Sequence, residues 1–456
     1  MNARHAVMIA LLAAAPAARL EAQESPFFGS VPQGTPAKEP VALSLKDAAA
    51  RALQFNLGLL LQEESARVAH GARWTALADL LPRASASAGE RRQVINLEAF
   101  GFPAPDPSVG PFNVFDARLA LSQPVIDLRA WHDAKAASFD ERAAALGIRS
   151  ARELVVLVST RLYLEVVTAE SRIEVARAQL ATAEALLKQA SDLKAAGLVA
   201  GIDVLRADSQ VQNQRQRRIV AENTFEKAKL RLARAIGLPP GQAITLTDKI
   251  PYAPLDGVPL EQALAGAYAQ RADYLAAKER LLAAEAGHRA AAMELMPSLR
   301  IDADYGTIGR TVSEAHPTYT VAATVHVPIF EGGRTQGRKI ETASLLRQRQ
   351  AEYDDLRGRI DLEVRSTIFD LSAATQQLDA ARTSVSLATQ ELTQARDRFA
   401  AGVAGNLEVT EAQEAVASAS DRYIEALYNH NVAKASLARA VGTAEQAVMS
   451  YLGGKQ

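Results

Sequence analysis

The residues of this sequence best suited to chemistry are two acidic side chains, Glu408 and Glu411, which follow a glycine-containing segment. Because they are three positions apart, a helix places both on one face as neighbours. Carboxylates gathered in this way attract cations and repel anions. The alternative is an ordinary solvated helix face, since Glu414 continues the same acidic stripe.

A matching segment occurs earlier in the chain, and both have the pattern Ala-Gly-x-x-x-x-[Ile/Leu]-[Asp/Glu]-Val. We expect Gly197 and Gly402 to adopt left-handed conformations that end the helices before them. Asp203 occupies the place in the first segment that Glu408 occupies in the second. A carboxylate at this place is also suited to cap the helix that follows.

Composition and spacing exclude most other site chemistries. The chain has no cysteine, which removes disulfides, thiolate metal sites and cysteine nucleophiles. Its seven histidines lack metal-ligand spacing, and His326 falls on the polar side of a predicted strand. Lysine and arginine number 51 against 52 for aspartate and glutamate, so we predict no nucleic-acid surface. We expect no catalytic residue, no metal and no cofactor.

The glycine-rich residues 332–339 follow a predicted strand and open a predicted helix, as a phosphate-binding loop does. However, Arg338 stands where the lysine of such a loop belongs, and Lys339 is followed by Ile340 instead of serine or threonine. We interpret the segment as a strand-to-helix turn that glycine permits.

The elements that must position these residues occur twice. The sequence LARAIG, ending at Gly237, recurs as LARAVG, ending at Gly442, an offset of 205 that the two glycine turns share. Each half is predicted to contain one helix, two strands, a long helix, a tight turn and a second long helix. The predicted segments are repeat 1 (43–240, strands at about 83–95 and 112–126, tip 197–203), a linker (241–259) and repeat 2 (260–448, strands at about 298–306 and 318–330, tip 402–408).

The remaining segments lie at the two ends. Residues 1–22 combine a basic start, an apolar run and small residues at Ala18 and Ala22, which indicates a secretory signal peptide. Residues 23–42 are predicted to be an extended tail, and residues 449–456 a C-terminal tail. No later uncharged apolar run reaches the ~18 residues of a membrane helix, so we expect export without a helical anchor.

The four strands are predicted to be about as long as the ~9–11 residues with which a tilted strand crosses a bilayer. In the third, apolar residues at 299, 301, 303 and 305 alternate with polar ones. Four strands cannot close a barrel, and hydrocarbon does not tolerate open sheet edges. Either several chains pool their strands, or the strands form a soluble sheet packed on helices. The export signal and the duplicated layout favour a barrel built from the strands of several chains.

The ordered set of features, present twice, resembles the TolC-type outer-membrane efflux family over residues 43–448. The resemblance rests on the duplicated layout, the two glycine turns and the prolines that flank strands, which are Pro82, Pro124, Pro297 and Pro328. The resemblance implies a mainly α protein with a small β part. Duplicated long-helix hairpins would form an α-barrel, and each chain would contribute four strands to a trimeric 12-stranded transmembrane β-barrel.

What the resemblance implies about function is a passive exit duct, not an enzyme. The homotrimer would lie in the outer membrane of a Gram-negative bacterium, in contact with outer-membrane lipid, with its helical part in the periplasm. It would be coupled to a periplasmic adaptor protein and an inner-membrane pump, and gated at the helical tips. The alternative is a soluble periplasmic coiled-coil scaffold or adaptor.

The resemblance also assigns roles at the tips. Glu408 and Glu411 would line the closed pore as acidic rings. Asp203 would belong to a latch whose partners in TolC are a tyrosine and an arginine. Phe399 and Ala404 stand at those two positions here, and neither has the polar group required. We therefore expect that particular latch to be absent.

Overall fold

A computed structural model describes residues 25–103, 105–249, 252, 253, 255 and 258–452. The predicted signal peptide, residues 1–22, lies outside the described residues. The first half contains β1 (Val41–Leu43), α1 (Leu45–Phe55), α2 (Leu57–Ala78), β2 (Arg83–Asn96), β3 (Ser108–Ile126), α3 (Leu128–Ala195) and α4 (Gly201–Ala235). The second half contains β4 (Ile244–Leu246), α5 (Leu260–Gln270), α6 (Ala272–Ala292), β5 (Ser298–Gly309), β6 (His316–His326), α7 (Arg334–Ala400), α8 (Asn406–Val441) and α9 (Ala444–Tyr451). The described chain is mainly α with a small β part.

Each half begins with two helices, where the sequence predicted one. In the first half the break falls at Asn56, whose ψ of 129° is not helical. Its side-chain Oδ1 accepts a hydrogen bond from Gly58 N–H at 3.0 Å, and its Nδ2 donates to the Phe27 carbonyl at 2.7 Å. The prediction was wrong here because an asparagine that caps a helix also interrupts the one before it.

The second half has the same break at Arg271, 215 positions further on, with a ψ of 116°. This side chain is 3% exposed and lies 2.8 Å from Asp273 and 2.7 Å from Glu363. The two ion pairs raise the pKa of Arg271 despite its burial. The duplicated bend is therefore held by an uncharged cap in one repeat and by a buried ion-pair network in the other.

Other boundaries differ where pairing was not visible in the sequence. The first two long strands stay paired past a bulge as far as Asn96 and Ser108, so their loop is shorter than expected. β6 ends at His326 rather than near residue 330, where Pro328 has no N–H to donate. β1 and β4 pair in parallel, which joins the tail to the inter-repeat linker. α9 runs past residue 448 into the predicted C-terminal tail.

The four longer strands form one antiparallel sheet in the order β2-β3-β5-β6. Leu119 pairs with Tyr305, which pairs with Tyr319, so these side chains share one face. That face is apolar, with Leu119 62% and Tyr319 74% exposed. The other face is polar, and Arg118 there lies 2.7 Å from Asp304. In the described part of the chain, β2 and β6 have no strand on their outer sides, which leaves two open edges.

The long helices form two hairpins, α3 with α4 and α7 with α8, and α6 packs against both α3 and α7. The largest buried cluster is where α1, α3, α4, α8 and α9 meet, and small residues such as Ala48 and Ala435 allow close helix contact there. The buried Tyr163 hydroxyl lies 3.1 Å from the Leu43 carbonyl and 3.0 Å from Asp248, tying β1 and the linker to α3. Within the described residues, none of the helices combines the length and apolar character needed to cross a membrane.

Candidate functional site at the hairpin tips

Each hairpin turns at a glycine with a left-handed backbone. Gly197 has φ 73° and Gly402 has φ 72°. The N–H of Leu198 donates to the Leu193 carbonyl at 2.9 Å, and the N–H of Val403 donates to the Arg398 carbonyl at 3.0 Å. These are the hydrogen bonds of a Schellman motif, which satisfy carbonyls that the ending helix leaves open. The repeated sequence pattern thus builds the same turn twice.

Asp203 does not cap α4, so that interpretation is wrong. The capping position is Ala200, which has no side chain able to accept a hydrogen bond from the helix. Asp203 lies in the first turn of α4, with its carboxylate 3.6 Å from Arg206. Its backbone carbonyl accepts a hydrogen bond at 3.0 Å from the side chain of Asn406 on the other hairpin.

Asn406 is a tip residue that sequence reasoning missed. It is only 2% exposed, and its amide joins the start of α8 to the start of α4. In the duplicated pattern it stands where the first repeat has Gly201, 205 positions earlier. That replacement of glycine by a polar residue is the signal that could have identified it, because a buried amide requires a hydrogen-bond partner.

The three acidic residues of the predicted stripe have three different environments. Glu408 is half-buried and lies 3.3 Å from Arg398 Nε at the end of α7. Glu411 is exposed and forms no ion pair with any residue in the described ranges. Glu414 contacts Arg217 and accepts a hydrogen bond from Gln210 at 2.7 Å. The stripe is therefore not a uniformly solvated face, since Glu414 binds the other hairpin.

The positions of the expected latch partners are apolar in the structure also. Phe399 is 3% exposed and packs with Leu392, Val409 and Ala412 in a cluster just inside the tip. Ala404 lies in the turn itself. Near the tip, the two hairpins are joined by hydrogen bonds of Asn406 and Glu414.

The remaining sequence candidates lie far from the tips. Gly332 and Gly333 have φ of 61° and 84° and form the turn that leads into α7, where Arg334 contacts Glu331. His326 ends β6 on the polar face of the sheet, the face that carries Asp304. Among the residues the structure describes, no group of histidine, aspartate and glutamate side chains could hold a metal ion.

Comparison with known proteins identifies the family to which this chain belongs. The family described as "Outer membrane efflux protein" matches residues 49–238 and 263–443, one segment in each repeat. The pyoverdine export outer membrane protein OpmQ of Pseudomonas aeruginosa is 26% identical over 381 residues, covering 80% of this chain and 78% of its own. The toluene efflux pump outer membrane protein TtgF of Pseudomonas putida is 24% identical over 417 residues, covering 89% and 84%.

A solved structure shares the fold. The CmeC outer membrane channel of Campylobacter jejuni superposes with a TM-score of 0.78 at 17% identity, covering 88% of this chain and 86% of that one. The predicted fold class of duplicated long-helix hairpins with four strands is confirmed by this likeness. The family match covers both repeats and both tips. The chain belongs to the outer membrane efflux protein family.

Proposed function

We propose that this chain is the passive exit duct of a tripartite efflux system, a homotrimer coupled to a periplasmic adaptor and an inner-membrane pump and gated at its hairpin tips. The family consists of outer-membrane channels of Gram-negative bacteria, which favours a duct over both an enzyme and a soluble scaffold. The observation that carries the proposal is the open sheet, which has an exposed apolar face and two edges without a strand partner in the described chain.

The sheet supports pooling of strands by several copies. Its apolar face fits hydrocarbon, but unpaired backbone groups at β2 and β6 do not, because nothing in the bilayer core can hydrate them. Pairing β6 of one copy with β2 of the next removes both edges, and three copies supply twelve strands. The polar face, with Arg118 and Asp304, then lines the lumen.

Planar-bilayer recording and mass determination in detergent test the duct. We expect discrete conducting channels and particles of three copies. A preparation that is correctly inserted but never conducts, or a chain that stays monomeric without detergent, contradicts the proposal.

The tips are suited to bind a helical partner such as an adaptor hairpin. Leu198 is 71% exposed and Val403 is 69% exposed, and each is the residue after its turning glycine. Further apolar side chains on the first turns of α4 and α8 are also more than half exposed, namely Ile202, Leu205 and Leu407. An apolar patch at the end of both hairpins gains stability when another protein covers it.

The adaptor contact is tested by placing a charge on each tip, as Leu198→Asp and Val403→Asp. We expect loss of efflux in cells that carry the adaptor and pump, with unchanged trimer formation and unchanged conductance of the purified channel. The matched control is Leu387→Asp, which alters a leucine of α7 that is 60% exposed and lies away from the tip. Normal efflux in both tip variants, or equal loss in the control, contradicts tip docking.

Two contacts between hairpins support a gate at the tip. Asn406 donates to the Asp203 carbonyl at the first turn of α8, and Glu414 binds Arg217 and Gln210 two turns further along. Each net hydrogen bond of this kind is worth about 1 kcal/mol, or about fivefold in an equilibrium. Separating the hairpins, as opening requires, must break both contacts in each copy.

Asn406→Leu keeps the branching of this side chain, with two methyl groups in place of the amide oxygen and nitrogen, and removes its hydrogen bond. We expect a larger open fraction in bilayer recordings, by about fivefold for each copy that carries the change. Leu407→Ala, at the exposed neighbour, is the control and should leave gating unchanged. An Asn406→Leu channel that opens no more often than the wild type removes Asn406 from the gate.

A further inference from the structure

A second feature of the hairpins is a cleft of about 220 Å³ at the place where the four long helices of one chain meet. Every one of these helices contributes to its wall: Val175 and Thr182 from α3, Gln214 from α4, Leu392 from α7, and Gln413 and Val416 from α8. Among the described residues no charged side chain lines it. The cleft therefore combines apolar walls with a few neutral polar groups, as small-molecule sites do.

One polar atom in the wall lacks a partner. The Gln214 side chain is 2% exposed, and its Nε2 donates to the Glu414 carboxylate at 3.4 Å. Because a carboxylate only accepts, Nε2 is the amide atom that faces it, and Oε1 takes no part in this contact. In the described part of the chain, Oε1 is buried without any hydrogen-bond partner. A buried acceptor of this kind is unfavourable until a donor reaches it.

We propose that this cleft binds a small uncharged molecule with an apolar body and one hydroxyl or N–H donor, of which phenol is the simplest aromatic example. The ring would contact Val175, Leu392 and Val416. The donor would bond to Gln214 Oε1 once the amide turns toward the cleft, because less than 1 Å² of this atom is exposed in the unliganded chain. A cavity of ~150 Å³ already holds benzene, so the cleft has room for a substituted ring. Charged ligands are disfavoured, since no wall residue offsets the cost of removing their water.

Occupancy of the cleft has a consequence for the hairpins, which rests on the proposed gate. A bound molecule contacts α3 of the first hairpin and both α7 and α8 of the second. It therefore stabilises the arrangement in which the hairpins lie together and favours the closed tip. The binding site itself depends only on the fold of one chain.

Binding is measured by ¹⁹F NMR with 4-fluorophenol and the full-length protein in lipid nanodiscs. Gln214→Leu removes the acceptor and should weaken binding about tenfold. Gln210→Leu is the matched control, because Gln210 also bonds to Glu414 but does not line the cleft, and its affinity should stay within about twofold. Ala178→Trp fills the cleft and should abolish saturable binding. 4-Fluoroanisole, which has no donor, should bind the wild type as weakly as 4-fluorophenol binds Gln214→Leu.

The proposal is overturned if 4-fluorophenol gives the same signal with wild type and Ala178→Trp, since that is partition into lipid. It is also overturned if 4-fluoroanisole binds as tightly as 4-fluorophenol. Saturable binding that requires Gln214 supports the site even if the protein never conducts in a bilayer. Failure of the cleft and failure of the proposed duct are thereby distinguishable.

Discussion

Glu408 and Glu411, the two residues predicted to form acidic rings, differ in that only Glu408 has a cationic neighbour among the residues the structure describes. The contribution of each to the charge at the tip can therefore be tested separately. Glu408 lies 3.3 Å from Arg398, so that pair would contribute little net charge to the proposed pore, whereas Glu411 is exposed and unpaired within the described chain. The proposed trimer would then present three uncompensated carboxylates rather than six. Glu411→Gln should lower cation preference, and Arg398→Gln should raise it by exposing three further carboxylates.

The size of the effect follows from Coulomb's law. A unit charge about 10 Å away in water changes the energy of a permeating cation by about 0.4 kcal/mol, and three charges change it by about 1.2 kcal/mol. Screening at about 0.1 M salt reduces the sum to about 0.5 kcal/mol. The energy of an anion changes by the same amount with the opposite sign. Glu411→Gln should therefore reduce the cation-to-anion permeability ratio by about five- to sixtyfold, with the larger change at low salt.

The assay is the reversal potential of single channels in a salt gradient, recorded at two ionic strengths. The decisive variant is the double change Arg398→Gln with Glu408→Gln, which removes one charge of each sign and should leave the permeability ratio within about 1.5-fold of the wild type. If the double variant loses as much cation preference as Glu411→Gln, Glu408 acts independently of Arg398. The pairing argument would then be refuted.

Three further predictions concern stability. Arg271→Met leaves Glu363 unpaired and leaves Asp273 with Arg439 alone, at 3.6 Å. The change should cost about 3 kcal/mol in thermal unfolding, against less than about 1 kcal/mol for Arg365→Met at an exposed pair. Equal losses would contradict the network. Gly402→Ala strains a positive φ and should cost about 1 kcal/mol, whereas Gly405→Ala, at φ −83°, should be nearly neutral by the same measurement. Burial lowers the pKa of Lys434 to about 8, so folding releases a proton between pH about 8 and about 10.5. The stability of the wild type relative to Lys434→Met should therefore rise across that range by up to about 3 kcal/mol. A difference in stability that does not change with pH would contradict the shift.

How much of the tip could be predicted depends on the range of the interactions involved. The turns at Gly197 and Gly402 were predictable because a left-handed glycine after a helix is a property of a few neighbouring residues. The partner of Asn406 was not, because the carbonyl it binds belongs to a residue 203 positions away. The same limit explains Glu414, whose spacing indicates a helix face but not what that face contacts.

The fold, like the tip, was predictable where it depends on neighbouring residues and not where it depends on distant ones. Strand alternation and duplication predicted four strands and two hairpins, since both are periodic signals within a segment. The break at Asn56 was missed because the helical pattern continues on both sides of it. Its side chain bonds to Phe27 and Ala235, which are 29 and 179 positions away in the sequence. β4 was missed because a three-residue strand carries no period of its own and exists through its pairing with β1.

The contacts between the hairpins show one consequence of the divergence between the two repeats. Residues at equivalent positions differ by 205, yet Asn406 binds Asp203 and Glu414 binds Arg217, offsets of 203 and 197. In a ring of identical hairpins every junction would be alike. In the proposed ring of three diverged copies, junctions within a chain alternate with junctions between chains. The hydrogen bonds described here belong to the first kind, so Asn406→Leu and Glu414→Gln loosen three of the six junctions and leave the other three unchanged.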